Sequence, residues 1–90
     1  AYRLGMVNKV YPRAELMPAV LRIAEAIASN SPTAVQAVKR AVVLGTGEPI
    51  EQAASIMLEQ HWRSVVHPDR VEGSRAFHER REPNFQDPDF

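Results

Sequence analysis

The sequence predicts a mainly α chain, with one short N-terminal strand followed by about four helices. Three observations carry that prediction. The stretch NSPTAVQAVKRAVVLG, residues 30–45, has a helix start at one end and a stop at the other. Apolar residues recur at three- and four-residue steps within it and on both sides of it. A single run, MVNKVY at residues 6–11, instead alternates with the period of two that marks a strand.

Taken in order, residues 1–4 read as the tail of an element already under way, with Gly5 as its C-cap. Residues 6–11 form the predicted strand, which is expected to belong to a sheet built by other residues, because a lone strand leaves its ladder groups unpaired. Pro12 and Arg13 turn the chain into a first helix over about residues 14–29, with Leu16, Val20, Ile23, Ala24 and Ile27 as its buried stripe. Pro18 is placed within the first turn, where a missing N–H has no intrahelical partner to lose.

Asn30 stops that helix, Ser31 is the N-cap of the next and Pro32 its first residue. Gly45 is expected as the left-handed C-cap, and Ala34, Val35, Val38, Ala41 and Val42 as the apolar stripe. Pro49 opens a third helix running to about Val66, with Ile50, Ala53, Ala54, Met57, Leu58, His61 and Val65 on one side. His67 and Pro68 interrupt it, a fourth helix covers about residues 68–81, and Pro83 ends it. The expected division is residues 1–12 as the end of a preceding core, 13–82 as a helical unit and 83–90 as a polar tail.

Ninety residues make one small domain, which buries only about 60–65% of its unfolded surface. Eleven basic and eleven acidic residues cancel, so no field of the kind that draws nucleic acid or an anionic membrane is expected. The absence of cysteine rules out disulfides and thiolate chemistry and fits a cytoplasmic setting. No apolar run approaches the roughly 20 residues of a membrane span, and residues 1–10 lack the apolar core of a signal peptide. Because the chain lacks an initiator Met and carries an orphan strand at residues 6–11, it is expected to be a fragment or a processed product.

The residues offer no catalytic constellation. His61, His67 and His78 have no ligand spacing, so no metal site is expected. Gly45 and Gly47 lack the strand–turn–helix setting of a phosphate loop. No Ser, Thr or Lys has the local context of an activated nucleophile. Glu59 with Arg63, and Glu72 with Arg75, have the spacing of ordinary surface pairs on a helix. One cluster stands out: Arg75, Phe77, His78, Arg80 and Arg81, with Arg70 shortly before. Phe77 and Arg80 are three apart, so a ring and a guanidinium could take a planar base and an adjacent phosphate. The plainer alternative makes Phe77 a core anchor and pairs the arginines with Glu72, Glu79 and Glu82.

Three stretches, LGMVNKVYPRAEL, IASNSPTAVQAVKRAV and DRVEGSRAFHERREPNF, together resemble the C-terminal region of the enoyl-CoA hydratase/isomerase (crotonase) superfamily, over essentially the whole chain. The resemblance implies the helical C-terminal trimerisation module of a crotonase-type α/β protein, whose trimers often pair into hexamers. It implies that the spiral core, with the oxyanion hole and the proton-moving acidic residues, is absent from these residues, so the chain alone is expected to be inactive. It implies that Phe77 and Arg80 contact the adenine and ribose phosphate of an acyl-CoA, often one held by a neighbouring subunit. The family often has Lys where Arg80 stands, and a basic residue where Glu82 stands.

The implied parent reaction is addition of water across the double bond of a 2-enoyl-CoA. Isomerase, hydrolase and decarboxylase relatives share the same tail. Coenzyme A enters as the thioester of the substrate, with no separate cofactor. The partners implied are further copies of the chain and the missing core, with no nucleic acid and no membrane. Two other readings come from the residues alone: a stand-alone helical interaction module, and a small nucleic-acid binder using residues 70–81, which the balanced charge disfavours.

Overall fold

The computed structural model describes residues 1–87 as four helices: α1 Arg13–Ala28, α2 Pro32–Gly45, α3 Ile50–Val66 and α4 Asp69–Glu79. No strand occurs among the described residues, which corrects the expectation for residues 6–11. The alternation there is real, but a ladder needs a neighbour, and no described segment pairs with it. The helix-end reading just before it is correct. Gly5, at φ 72°, donates to Tyr2 O at 3.1 Å and Met6 donates to Ala1 O at 3.0 Å, the paired bonds of a Schellman closure.

Local chemistry sets the helix boundaries. Pro12 precedes α1, and its carbonyl accepts from the Glu15 amide at 2.9 Å. Pro18 is the sixth helical residue rather than a first-turn one, so its missing N–H does forgo a bond to the Ala14 carbonyl, yet the helix runs on through it. At the other end the Ser29 hydroxyl and the Asn30 side-chain Nδ2 both donate to Ala26 O at 2.8 Å, closing an otherwise open carbonyl. Ser31 then caps α2, its Oγ accepting from Ala34 N at 3.3 Å, with Pro32 at the first position.

Gly45 is not the left-handed cap; it is the last helical residue, and Thr46 ends the helix by bonding Val42 O. The positive φ belongs to Gly47, at 85°, inside the turn to α3. What Gly45 provides is close approach: a side chain there would meet Ala53 Cβ of α3 at 3.6 Å.

Helix α2 packs along α3, and α3 packs on α4, whereas α1 touches the others at most in passing. The buried faces are rotated from those expected. On α2 the buried residues are Thr33 and Ala37, while Val38 and Val42 are 65% and 62% exposed. On α3 the contact line is Ala53, Ile56, Gln60 and Ser64, with Met57 and Leu58 outside it. The closest approach is at small residues, Ala37 on α2 and Gly45 beside Ala53, because helix backbones can near one another only where side chains are short.

On α1 only Ala19 is buried, and Leu16, Val20, Ile23 and Ile27 are 44–53% exposed. That stripe is apolar, as expected, but nothing described covers it. The radius of gyration is 16.5 Å, against about 12 Å for a compact chain of this length. No described helix is long and apolar enough to cross a membrane.

Candidate functional site

The candidate site is built from α4 and the tail that follows it. Helix α4 is short and polar, burying only Asp69 and Ala76, so apolar packing alone cannot hold it. Asp69 anchors its start. The carboxylate is 4% exposed; Oδ2 accepts the Ser31 hydroxyl at 2.5 Å and Oδ1 accepts the Gln86 amide at 2.8 Å. One side chain thus ties the first turn of α2, the first turn of α4 and the tail together, and the anion sits well at a helix N-terminus. The Asp69 amide in turn donates to His67 Nδ1 at 3.3 Å. With Nδ1 accepting that bond, its 3.6 Å approach to Asp69 Oδ2 is a packing contact rather than an ion pair.

Glu72 anchors the middle. Its Oε1 and Oε2 accept from the two terminal nitrogens of Arg81 at 2.6 and 3.2 Å, and Oε1 also accepts the Asn84 amide at 2.9 Å. The fork from Arg81, with help from the Asn84 amide, holds the Glu72 carboxyl down at about 2, from an ordinary 4.5. Arg81 is raised further by its bonds to Glu72 and then to Glu79, the latter at 2.6 Å. The tail lies back over the helix, and the Phe85 ring edge passes Gly73 where a Cβ would meet it at 3.6 Å. The expected Glu72–Arg75 pair is corrected: the tail arginine, nine residues away, reaches the carboxylate with a two-pronged fork. The Glu59–Arg63 pair is present at 3.1 Å.

Helix α4 ends at Arg80, whose φ of 53° and ψ of 44° place it in the left-handed region usually given to glycine. Its amide donates to Phe77 O at 3.3 Å, and the Arg81 amide donates to Ala76 O at 3.1 Å, a second Schellman closure. Of the clustered basic residues, Arg81 takes the pairings with Glu72 and Glu79 that the plainer alternative gave to the arginines generally. Arg80 takes none among the described residues. Phe77 is 80% exposed, touching the His78 ring edge-on at 5.9 Å, so it is not a core anchor. A bare aromatic and an uncommitted guanidinium therefore stand at the same end of α4.

Neither of them lines the larger grooves. One of about 700 Å³ runs between α2 and α3, past Lys39, Val43, Ile56 and Gln60. Another of about 490 Å³ lies under Asn30, Ser31, Asp69 and Phe85. Buried polar atoms of Thr33, Gln60 and His67 have no partner among the described residues. No group of His, Asp or Glu among the described residues is arranged to hold a metal ion.

The sequence singled out Phe77 and Arg80 and missed Asp69 as an anchor. Its only local signal was a Pro-Asp helix start, which every N-cap prediction shares with ordinary helices.

The family model described as enoyl-CoA hydratase/isomerase matches residues 1–88. The chain belongs to the enoyl-CoA hydratase/isomerase family. Among curated relatives it is 35% identical over 86 residues to the enoyl-CoA hydratase EchA19 of Mycobacterium tuberculosis, covering 96% of this chain and 32% of that protein. It is 39% identical over 85 residues to the crotonyl-CoA hydratase of Syntrophomonas wolfei, covering 94% and 33%. The carnitinyl-CoA dehydratase of Escherichia coli is 34% identical over 87 residues, covering 92% and 33%.

Among solved structures, an enoyl-CoA hydratase from Bacillus anthracis superposes with a TM-score of 0.90 at 33% identity, covering 94% of this chain and 33% of that one. An enoyl-CoA hydratase/isomerase from Mycobacterium paratuberculosis superposes with 0.88 at 32% identity, covering 96% and 34%. This enoyl-CoA hydratase/isomerase-family chain therefore spans about a third of the length of the relatives it matches.

Proposed function

We propose that this chain is the C-terminal oligomerisation and CoA-covering part of an enzyme that hydrates 2-enoyl-CoA thioesters in the cytoplasm. The observation that carries the reading is the pairing of an uncovered apolar framework with relatives named as acyl-CoA hydratases and a dehydratase. Its accessible surface of 7614 Å² exceeds by roughly 2,300 Å² the value typical of a compact protein of this mass. An excess of that size is what an obligate interface buries, which supports docking onto a core and onto further copies in a trimer or a dimer of trimers.

In this reading the chain does no bond making. Phe77 lays its ring on the adenine of the acyl-CoA, and Arg80 meets the ribose phosphate with a charge-assisted fork. The substrate is held by its handle while chemistry proceeds elsewhere, so the contribution is uniform binding. Coenzyme A is present only as the thioester of the substrate. The test is an assay of the intact protein that carries this chain, using crotonyl-CoA and following loss of the enoyl thioester absorbance. Turnover, together with a trimer or hexamer by light scattering, is the expected result. An intact protein that forms a trimer but leaves crotonyl-CoA untouched overturns the hydratase assignment.

A further inference from the structure

Arg80 occupies a left-handed backbone conformation that is strained for a non-glycine residue, and glycine would relieve it. Something must hold the chain there. The next residue, Arg81, donates its amide to Ala76 O and sends its guanidinium back to Glu72, two turns up the same helix. Glu72 also takes the Asn84 amide, so the chain is gripped at Arg81 and again at Asn84. Between the two grips the Arg81 guanidinium donates to Glu82 O at 3.2 Å.

We propose that Glu72 and Arg81 form a bracket that positions Arg80 for the adenosine phosphate end of coenzyme A, acting through the backbone rather than by touching the ligand. This rests on the CoA-covering reading above. The bracket uses up one arginine so that its neighbour stays uncommitted. It turns the helix end at Arg80 and fixes the backbone from which that side chain projects. A ligand then meets a segment whose backbone is already fixed, and less binding energy goes into ordering it.

The experiment is a double-mutant cycle in the intact protein, with dissociation constants measured for coenzyme A and for an S-acyl pantetheine, which lacks the adenine and phosphates. Arg80→Ala is expected to weaken coenzyme A about tenfold and to leave the pantetheine thioester unchanged. Glu72→Gln is expected to weaken coenzyme A roughly threefold or more when Arg80 is present, and not at all when Arg80 is already Ala. Arg81→Lys keeps the charge but loses the fork; it is expected to act in the same direction and serves if Glu72→Gln fails to fold.

An Arg80→Ala protein with undiminished affinity for coenzyme A overturns the CoA-covering reading, and the bracket with it. A loss on Arg80→Ala, with Glu72→Gln and Arg81→Lys either silent or equally harmful in the Arg80→Ala background, overturns the bracket alone.

Discussion

Helix α1 and the α4–tail segment solve the same problem in opposite ways. Helix α1 is long and carries a clear apolar stripe, yet that stripe stands half exposed and only Ala19 is buried. Helix α4 is short and polar, yet it is tied to α2 and to the folded-back tail through Asp69 and Glu72. An apolar stripe is non-directional and is satisfied by any matching surface, including one supplied by other residues. Charged hydrogen bonds are directional and need named partners, so they close only where the chain itself brings those partners. The contrast separates an apolar surface left exposed among the described residues from a polar device completed within them.

The largest expected effect comes from charging the stripe. Ile23→Asp in the intact protein is expected to cost about 3 kcal/mol or more and to dissociate the assembly, read by thermal unfolding and light scattering. In the isolated chain, where Ile23 is 51% exposed, the same change is expected to be nearly silent. Equal, small effects in both settings would show that the stripe is never covered, and the contrast with α4 would fall.

Next is Asp69→Ala, which leaves the Ser31 hydroxyl and the Gln86 amide without their acceptor. A loss of about 3 kcal/mol is expected in chemical unfolding, with hydrogen exchange rising first at Gln86. Phe77→Ala and Arg80→Ala come third: each is expected to raise KM for the acyl-CoA about tenfold with kcat held, as removal of binding remote from the reaction predicts. A fall in kcat at constant KM would place these residues at the chemistry instead.

The smallest effect is a pH dependence. Glu72 is depressed in the folded state, so its contribution is complete above its ordinary value of 4.5 and is lost as pH falls from there to about 2. Exchange at the Asn84 amide is expected to follow that window. Loosening of the tail already at pH 6 would show that another group controls it.

The site was only partly legible in the sequence. The spacing of Phe77 and Arg80 predicts a shared helix face, but α4 ends at Glu79 and Arg80 is left-handed, so what the two share is one end of the helix. Which arginine would be left uncommitted could not be picked out, since Arg75 and Arg81 compete for Glu72 and the outcome depends on the fold-back at Arg80. The strand expected at residues 6–11 failed for the complementary reason, that alternation records a preference while pairing requires a neighbour.

The sequence by itself determined where helices begin: Ser31-Pro32 opening α2, Pro49 opening α3, Pro68 separating α3 from α4. It also determined the family, because the motifs that carry it lie in order along the chain. These are contacts within a few residues, written in caps, prolines and spacing. The tertiary structure decided which face of each helix is buried, so that Thr33, Ala37 and Gln60 lie inside while Val38, Val42 and Met57 lie outside. It decided that Ser31 meets Asp69 across 38 residues and that Glu72 meets Arg81 across nine. Those outcomes turn on how one helix is rotated against the next, and a rotation of a fraction of a turn exchanges one set of partners for another without altering any local signal.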